Sequence, residues 1–290
     1  MIYTDETMLV RSKDKGGAGI INAVSAEHAG WDYLNMVARR MSARQTTSGN
    51  TGDYEYAHVI LGGRCHIHTS KGDFTNIGKR ENVWDGLPHA LYLPRNTEFE
   101  IDALTDELEI ASCWVATDRD YEPKLVTPGA DTPIELRGGG SCSRQITSIM
   151  PPGFPCHRLV VVEVYTPPGN WSSFPPHKHD VHRVDAQGNI IEADLEEIYF
   201  YKINPPEGYA YQRVYNDSRT IDGTMMVSNH DLVLVPEGYH LVVGLPGYQT
   251  YYLNFLAGSA QSLANADDPA FAWVKGVWGD LDPRVPVVKA

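Results

Sequence analysis

Short apolar runs, each ended by a turn residue, recur along the whole chain and constrain its fold more than any other feature. Residues 158–166 run up to Pro167, and residues 232–235 run up to Pro236. Runs of this kind, rich in Val, Ile, Tyr and Leu and separated by Gly, Pro and Asn about every 8 to 15 residues, are typical of sandwiches and barrels. We therefore predict an all-β fold.

The two halves of the chain resemble each other. Glu55 precedes Pro94 by the same distance along the sequence as Glu197 precedes Pro236. In both places the glutamate is followed by a strand, a turn and a second strand, and one constant offset superimposes both landmarks. A duplicated β domain is the economical interpretation.

The length of 290 residues also favours two domains, since about 150 residues per domain is usual. A polar, Gly-rich stretch at residues 137–143 (RGGGSCS) has the composition of a seam between the halves. We predict one domain over residues 1–142 and a second over residues 143–290.

Charge and cysteine content exclude several classes of partner. The chain has 24 Lys and Arg against 37 Asp and Glu, a net charge of -13, which argues against nucleic acid and against an anionic membrane surface. No apolar run approaches the length of about 20 residues that a membrane-spanning helix needs. The four cysteines form no CxxC pair, so we predict reduced thiols and a cytoplasmic protein.

The strongest local signal is a pair of histidines in the segment FPPHKHD. His177 and His179 are separated by a single residue, and on an extended segment side chains at this spacing project to the same side. Neutral imidazoles placed in this way can both bind one divalent metal ion. With Glu197 at the start of a strand and His240 after a Pro-x-Gly turn, they form a set of three histidines and one carboxylate.

This arrangement resembles the two motifs of the cupin superfamily: HxH, a spacer and Glu before a strand, then Pro-x-Gly and His. The spacer after His179 is longer than usual, and the Pro-x-Gly turn is one residue closer to its His. The long spacer leaves Glu196 as an alternative to Glu197. We prefer Glu197, because in the family the ligand stands directly before the apolar and aromatic strand.

The first half departs from this pattern. It keeps Glu55, but the same offset places Glu98 where the second half has His240, and no HxH lies upstream. The resemblance therefore implies a first domain that holds no metal. His66 and His68 form a second HxH, but they follow the glycine turn and have no carboxylate at ligand spacing.

Longer stretches resemble one cupin family, the 5-deoxy-glucuronate isomerases of myo-inositol catabolism. They are PPGNWSSFPPHKHD, EEIYFYKINPPEGYAYQRVYND and LVLVPEGYHLVVGLPGYQTYYLNFLAG. The related 5-keto-4-deoxyuronate isomerases share the ligand set and the element seen here at residues 213–215, but the inserted segment after His179 fits the inositol family better. The resemblance implies a bicupin of two duplicated jelly-roll barrels, and a homo-oligomer.

The resemblance also implies a reaction, the conversion of 5-deoxy-D-glucuronate, a sugar acid, to 5-dehydro-2-deoxy-D-gluconate. A divalent ion, Zn or Mn by ligand type with iron as an alternative, would polarise the carbonyl while a base moves a proton between C1 and C2. A hydride shift is a second route. Glu163, which alternates with Val161 and Tyr165 on one strand, is the leading candidate for the base.

Substrate contacts are expected from tyrosines and arginines near the motifs. Tyr199 and Tyr201 share the face of Glu197 and have hydroxyls for sugar oxygens. The substrate carboxylate calls for an arginine fork. We favour Arg183 and Arg213 over Arg158 and Lys178 for this role.

Two other classes of function compete with the isomerase. A cupin dioxygenase would use iron with the same three histidines and one glutamate. A non-enzymatic protein that binds sugar acids could keep the metal for structure alone. A dioxygenase would consume oxygen during turnover, which an isomerase does not. A binding protein would show no turnover at all.

Overall fold

The computed structural model describes residues 2–289, and the regular elements of its first half are strands apart from two helices of four residues each. In chain order the elements are α1 (Asp5–Met8), β1 (Leu9–Val10), β2 (Gly19–Val24), α2 (Ala26–Ala29), β3 (Asn35–Met41), β4 (Thr46–Asn50), β5 (Tyr54–Gly62), β6 (Cys65–Thr69), β7 (Gly72–Ile77), β8 (Ala90–Leu93), β9 (Glu98–Ala103), β10 (Leu108–Ala116) and β11 (Lys124–Val126).

The second half repeats this composition and ends in a short 3-10 helix. Its elements are β12 (Ile134–Arg137), β13 (Arg144–Met150), β14 (Val160–Thr166), β15 (Trp171–Lys178), β16 (Asp180–Val184), β17 (Ile190–Asn204), β18 (Tyr209–Tyr215), β19 (Asp222–Ser228), β20 (Leu232–Val235), β21 (Tyr239–Gly244), β22 (Gln249–Gly258), β23 (Ala266–Asp267) and the 3-10 helix Ala272–Val277. The predicted all-β class is confirmed.

The strands form four antiparallel sheets, two in each half. Sheet I has the order β11-β8-β5-β10-β3-β2, and sheet II has the order β4-β9-β6-β7. Sheet III runs β1-β20-β17-β22-β14-β13-β12 with β16 paired to β17, and sheet IV runs β19-β18-β21-β15-β23. Apart from strands added at the edges, sheet III repeats sheet I and sheet IV repeats sheet II. This repetition is the duplication of barrels that the sequence predicts.

Central strands of sheets I and III, among them β14 and β20, are buried on both faces, which explains why they are almost continuously apolar. On β17, Ile198 and Phe200 join a core that also contains Val59 and Leu61 of β5, so this core lies between the two halves. Tyr199 faces the other way, into the core of the second barrel. The second barrel therefore has an interior of its own between sheets III and IV.

The predicted boundary between residues 142 and 143 falls in the turn of the β12–β13 hairpin, where Arg137 pairs with Arg144. Gly138 in this turn has φ +95°, and a Cβ there would lie 2.1 Å from the carbonyl oxygen of Cys142, so the turn requires glycine. β1, from the N-terminal segment, pairs with β20 of sheet III. The boundary itself stays a prediction.

Helices contribute little to this fold. α1 and α2 have four residues each, and no helix within residues 2–289 is long and apolar enough to cross a membrane. All four cysteines are free thiols, and three of them are buried.

Candidate metal centre and active-site cavity

Three histidines and one glutamate converge inside the second barrel. His177, near the end of β15, lies directly opposite His240 of the neighbouring strand β21. His179 follows directly after the end of β15. Their ligand nitrogens lie within 4.8 Å of one another. Glu197 approaches from β17 of the opposite sheet, with Oε2 at 3.0 Å from Nε2 of His179 and 3.2 Å from Nε2 of His240. Two sheets thus contribute to one cluster.

Backbone carbonyls fix which nitrogen two of the histidines present. Nδ1 of His179 donates to the carbonyl of Leu195 at 3.0 Å, and Nδ1 of His240 donates to the carbonyl of Gly238 at 3.0 Å. Because Nδ1 is engaged in this way, each ring turns Nε2 towards Glu197, and Nε2 is the nitrogen through which the neutral ring can bind a metal ion. Nε2 of His240 is buried and has no hydrogen-bond partner among residues 2–289. This donor set fits a divalent metal ion.

The charges of the cluster also suit a cation. Burial acts to raise the pKa of Glu197, but the hydrogen bond from His179 and the close approach of His240 outweigh it and lower that pKa to about 2. Burial and the two neighbouring histidines hold the pKa of His177 well below its usual value. The centre therefore offers an ionised carboxylate and a neutral imidazole, which are the forms that bind metal.

Glu196, the alternative to Glu197, lies on the opposite face of β17. Its carboxylate accepts the backbone N–H groups of Asp32, Tyr33 and Leu34 at 2.6 to 3.1 Å. Adjacent residues on a strand point to opposite faces, so only one of the two glutamates can face the histidines. The structure places Glu197 there.

A cavity of about 280 Å³ opens beside the cluster and is bounded by both sheets of the second barrel. Alternate residues of β13, β14, β17 and β22 line it, and its other walls are β12, β15 and the segment from Leu263 to Trp278. Among the side chains that sheet III contributes are Arg144, Val162, Val164, Tyr199, Tyr252 and Asn254. One wall thus combines apolar surface with groups able to donate hydrogen bonds.

Two polar groups of this wall lack partners within the described part of the chain. They are Nε of Arg144 and Nδ2 of Asn254, both buried. Neither residue is predicted from the sequence, since Arg144 lies far along the chain from the histidine motifs and Asn254 belongs to no motif. The available signal was the alternation Arg144, Ile146, Ser148 directly after the glycine-rich turn, which places all three on one face.

The structure places Glu163, the predicted catalytic base, outside the cavity. Val162 and Val164 line the cavity, so Glu163 between them points to the other face of β14. It is fully buried there and accepts hydrogen bonds from Arg80 at 3.1 Å and from the hydroxyls of Tyr165 and Tyr251. The pair of Arg80 and Glu163 is a buried ion pair between the two halves.

The predictions for Arg183, Arg213 and Tyr201 are also corrected. Arg183 forms an ion pair with Glu192 on the β16–β17 hairpin, and Arg213 forms one with Asp222 on the β18–β19 hairpin. The hydroxyl of Tyr201 donates to Oε1 of Gln212 at 2.7 Å. None of the three predicted residues lines the cavity. Tyr199 does line it, and its contact with substrate stays a prediction.

Strand register corrects the alignment of the two halves by one residue. Tyr56 pairs with Leu93 in sheet I as Glu197 pairs with Val235 in sheet III, and each partner immediately precedes a proline. The counterpart of Glu197 is therefore Tyr56 and not Glu55. A slip of one residue moves a side chain to the other face of its strand, so this difference decides what lies inside the barrel.

Aromatic side chains fill the equivalent position in the first barrel. Gly49 lies opposite Phe99 as His177 lies opposite His240. The ring of Phe99 packs against Tyr56, with centroids 5.7 Å apart. The position of a metal ligand is thus taken by packed rings.

The remaining candidates of the first half lie away from this interior. Glu98, the predicted equivalent of His240, is exposed. His68 lies within ion-pair distance of Asp73 and Asp102 on the partly exposed sheet II, and among the described residues the grouping of potential metal ligands is limited to His177, His179 and His240.

Two barrels of the same strand order, with three histidines and one glutamate converging inside the second, define a bicupin with a candidate metal centre. The fold is shared with oxalate decarboxylase from Bacillus subtilis, whose structure at pH 4.6 has a TM-score of 0.59 at 13% identity over 89% of this chain and 76% of that one. Residues 8–274 match the KduI/IolB family, and the chain belongs to that family.

Relatives at higher identity agree with this assignment. The chain is 42% identical to the 5-deoxy-glucuronate isomerase of Geobacillus thermodenitrificans over 92% of this chain and 95% of that protein. It is 36% identical to the protein of the same name from Bacillus subtilis strain 168, over 89% and 93%. The crystal structure of an IolB-like protein from Salmonella typhimurium LT2 has a TM-score of 0.86 at 33% identity, over 92% and 98%.

Proposed function

We propose that this protein is a metal-dependent isomerase that converts 5-deoxy-D-glucuronate to 5-dehydro-2-deoxy-D-gluconate in the breakdown of myo-inositol. The observation that carries the proposal is the convergence of His177, His179, Glu197 and His240 beside a cavity, in a chain 42% identical to a protein named for this activity. The cavity is of the right order for a six-carbon sugar acid.

The proposed reaction needs no oxidant. One proton leaves C2 and one is delivered to C1, while the proton of the C2 hydroxyl passes to the C1 oxygen, so an aldose becomes a ketose. When bound, a divalent ion supplies a Lewis acid that stabilises negative charge developing on the carbonyl oxygen. Burial and the charge of Glu197 raise the pKa of Tyr199 well above its usual value, so its hydroxyl stays protonated and can donate to a sugar oxygen.

The walls of the cavity support a reaction sheltered from water. Val162 and Val164 present apolar surface, and the segment that contains Leu263 and Trp278 closes one side. Asn254 offers an N–H group that has no partner in the described chain at the same wall. A dry wall strengthens the electrostatic interactions made inside it, and the donors orient the sugar before the proton moves.

The ligand types support Zn or Mn, with Fe as an alternative. To test the function, the protein loaded with each ion in turn would be incubated with 5-deoxy-D-glucuronate, and loss of the aldehyde signal followed by NMR. We expect turnover with at least one ion and none after chelation. Deuterium from D2O at the hydroxymethyl carbon of the product, which is C1 of the substrate, would indicate proton transfer, and its absence a hydride shift.

Three results would contradict the proposal. They are no turnover of 5-deoxy-D-glucuronate with any divalent ion, oxygen consumption tied to turnover, which indicates a dioxygenase, and faster turnover of 5-keto-4-deoxyuronate. A protein that binds the sugar acid tightly but converts neither uronate would be a binding protein with a structural metal.

We further propose a cytoplasmic homo-oligomer with no nucleic-acid or membrane partner. The four free thiols support a reducing compartment, and the net charge of -13 disfavours anionic polymers and surfaces. Exposed apolar side chains on the β16–β17 hairpin, among them Val184 and Ile191, support association of copies. Light scattering coupled to size exclusion measures the mass, and a monomer would contradict this.

A further inference from the structure

The cations that line the cavity differ in how their charge is balanced. Arg137 is bound by Glu135 through two hydrogen bonds of 2.9 and 2.8 Å, and Lys275 forms an ion pair with Asp267. Arg144 lines the same cavity but takes part in no ion pair within residues 2–289. Of the cavity's Lys and Arg side chains in the described chain, it alone has an unbalanced charge.

Arg144 is also the most deeply buried of these cations. Only 8% of the residue is exposed, and its Nε has no hydrogen-bond partner in the described chain. Burial lowers its pKa, yet a guanidinium keeps its proton at any physiological pH. A buried cation without a partner destabilises the fold, and natural proteins tolerate it mainly where function requires it.

Arg144 lies close to the candidate metal centre without being part of it. Its positive charge contributes to the lowered pKa of His177, after burial and the other two histidines. It also acts on the hydroxyls of Tyr199 and Tyr252 on the same wall. β13 carries it at its first residue, where the tight turn after β12 holds the backbone in place.

We propose that Arg144 binds the carboxylate of the substrate through its guanidinium fork and so turns the aldehyde end of the sugar towards His177, His179, Glu197 and His240. The inference rests on the function proposed above, since it names the group that selects an acid over a neutral sugar. A bidentate carboxylate would satisfy the unused N–H groups and balance the buried charge in one step.

A binding experiment tests this inference separately from catalysis. The probe is the C1 alcohol of 5-deoxy-D-glucuronate, which keeps the carboxylate but cannot isomerise, and its neutral counterpart is the amide of the same compound. Titration calorimetry on the metal-loaded protein should show that the wild type prefers the acid. In Arg144→Met, we expect affinity for the acid to fall about 100-fold and affinity for the amide to change less than about threefold.

Two further variants sharpen the comparison. Arg144→Lys keeps one charge without the fork, so we expect it to recover part of the affinity for the acid. Arg213→Met removes an arginine that lies outside the cavity and is already bound to Asp222, so both affinities should stay within about twofold of wild type. Metal content, measured by mass spectrometry, should be unchanged in all three.

Stability gives an independent readout. If Arg144 stabilised the fold, Arg144→Met would lower the Tm of the ligand-free protein. Because its guanidinium has no protein partner in the described chain, we expect the Tm of this variant to be unchanged or higher. Equal affinity of wild type for acid and amide, or unchanged acid affinity in Arg144→Met, would overturn the inference. Loss of acid binding in that variant, in a protein that isomerises neither uronate, would support the carboxylate site and reject the proposed reaction.

Discussion

Glu55 and Glu196, from opposite halves of the molecule, accept equivalent hydrogen bonds from the backbone of the other half. Glu55 accepts three consecutive backbone N–H groups, those of residues 157–159, at 2.6 to 3.1 Å. Glu196 accepts those of residues 32–34 over the same range. Each glutamate thus holds the turn that leads into a central strand of the other half, β14 or β3. The two contacts join the barrels reciprocally.

Replacing either glutamate should therefore weaken the association of the halves. We expect Glu55→Gln and Glu196→Gln each to lower the free energy of unfolding by about 2 to 4 kcal/mol, because the amide turns N–H groups towards backbone N–H donors and leaves buried donors without an acceptor. Urea denaturation followed by fluorescence measures the loss. Glu98→Gln, on an exposed side chain, is the control and should change stability by less than about 0.5 kcal/mol. If Glu55→Gln and Glu196→Gln were as stable as the control Glu98→Gln, the proposed role of the two glutamates in joining the halves would be contradicted.

The metal centre predicts a link between ligand side chains, bound metal and stability. His177→Ala and His240→Ala should each lower affinity for the ion by more than about 100-fold, since even outer-sphere changes cost about 10- to 100-fold. Chelation should lower the Tm of the wild type, because an ion bound to the folded state stabilises it, and should leave the Tm of these variants unchanged. Metal analysis and thermal unfolding measure both effects.

His182→Ala is the matched control for the metal experiment, since this exposed histidine lies on the β16 hairpin and contacts Ser259. It should retain stoichiometric metal. Stoichiometric metal in His177→Ala and His240→Ala would refute the assignment of these side chains as ligands.

Glu163 should matter for stability and not for turnover. Glu163→Gln leaves the guanidinium of Arg80 buried without its partner, and we expect a loss of about 3 to 5 kcal/mol in the free energy of unfolding. The double variant Arg80→Met, Glu163→Leu removes both charges and should lose less than the sum of the single variants. Below the unfolding transition, kcat/KM of Glu163→Gln should stay within about threefold of wild type. A stable but inactive Glu163→Gln would restore Glu163 as the base.

His58, buried in the first barrel, predicts a pH dependence of stability. Burial, with the charge of Arg39, lowers its pKa to about 3, while the unfolded chain should titrate near 6.5. Between these values the unfolded state binds the extra proton, so stability is fully present above about pH 6.5 and is lost as pH falls towards 3, by up to about 1.4 kcal/mol per pH unit.

In His58→Phe this residue can no longer bind a proton on unfolding, so the free energy of unfolding should depend less steeply on pH. The substitution keeps an aromatic ring beside Phe99. The measurement is the free energy of unfolding in urea from pH 7.5 down to pH 4.5. His28→Gln, on an exposed histidine, should leave the slope unchanged. An identical slope in wild type and His58→Phe would mean that His58 does not titrate on unfolding.

Much of the fold can be predicted from local sequence pattern, but the face of a strand on which a given side chain lies cannot. Apolar runs ended by Gly and Pro predicted strands, and the recurrence of Glu and Pro predicted two copies. The alignment of Glu55 with Glu197 is nevertheless wrong by one residue. Both faces of β5 and β17 are buried, so the sequence does not show which of two neighbouring residues faces the inside of the barrel. Register against β8 and β20 resolves it.

The residues of the candidate site likewise fall into those that local spacing predicts and those that it does not. His177, His179 and His240 could be chosen from sequence because HxH and Pro-x-Gly-x-His are local spacings. Glu163 and Arg144 could not be placed, since which face of β14 or β13 looks into the barrel depends on partners far along the chain. The arginines near the motifs satisfy nearby carboxylates, whereas the unpaired arginine comes from the seam between halves.

Residue types and their spacing determined by themselves that this chain is all-β, duplicated, acidic and equipped with three histidines and a glutamate suited to metal. Only the tertiary structure decided that Tyr56 and Phe99 fill the first barrel, that Glu197 and not Glu196 faces the histidines, and that Arg144 has no counter-ion within the described chain. The physical reason is the period of two in a strand: it separates neighbours onto opposite faces, and long-range sheet packing alone selects the face that encloses the cavity.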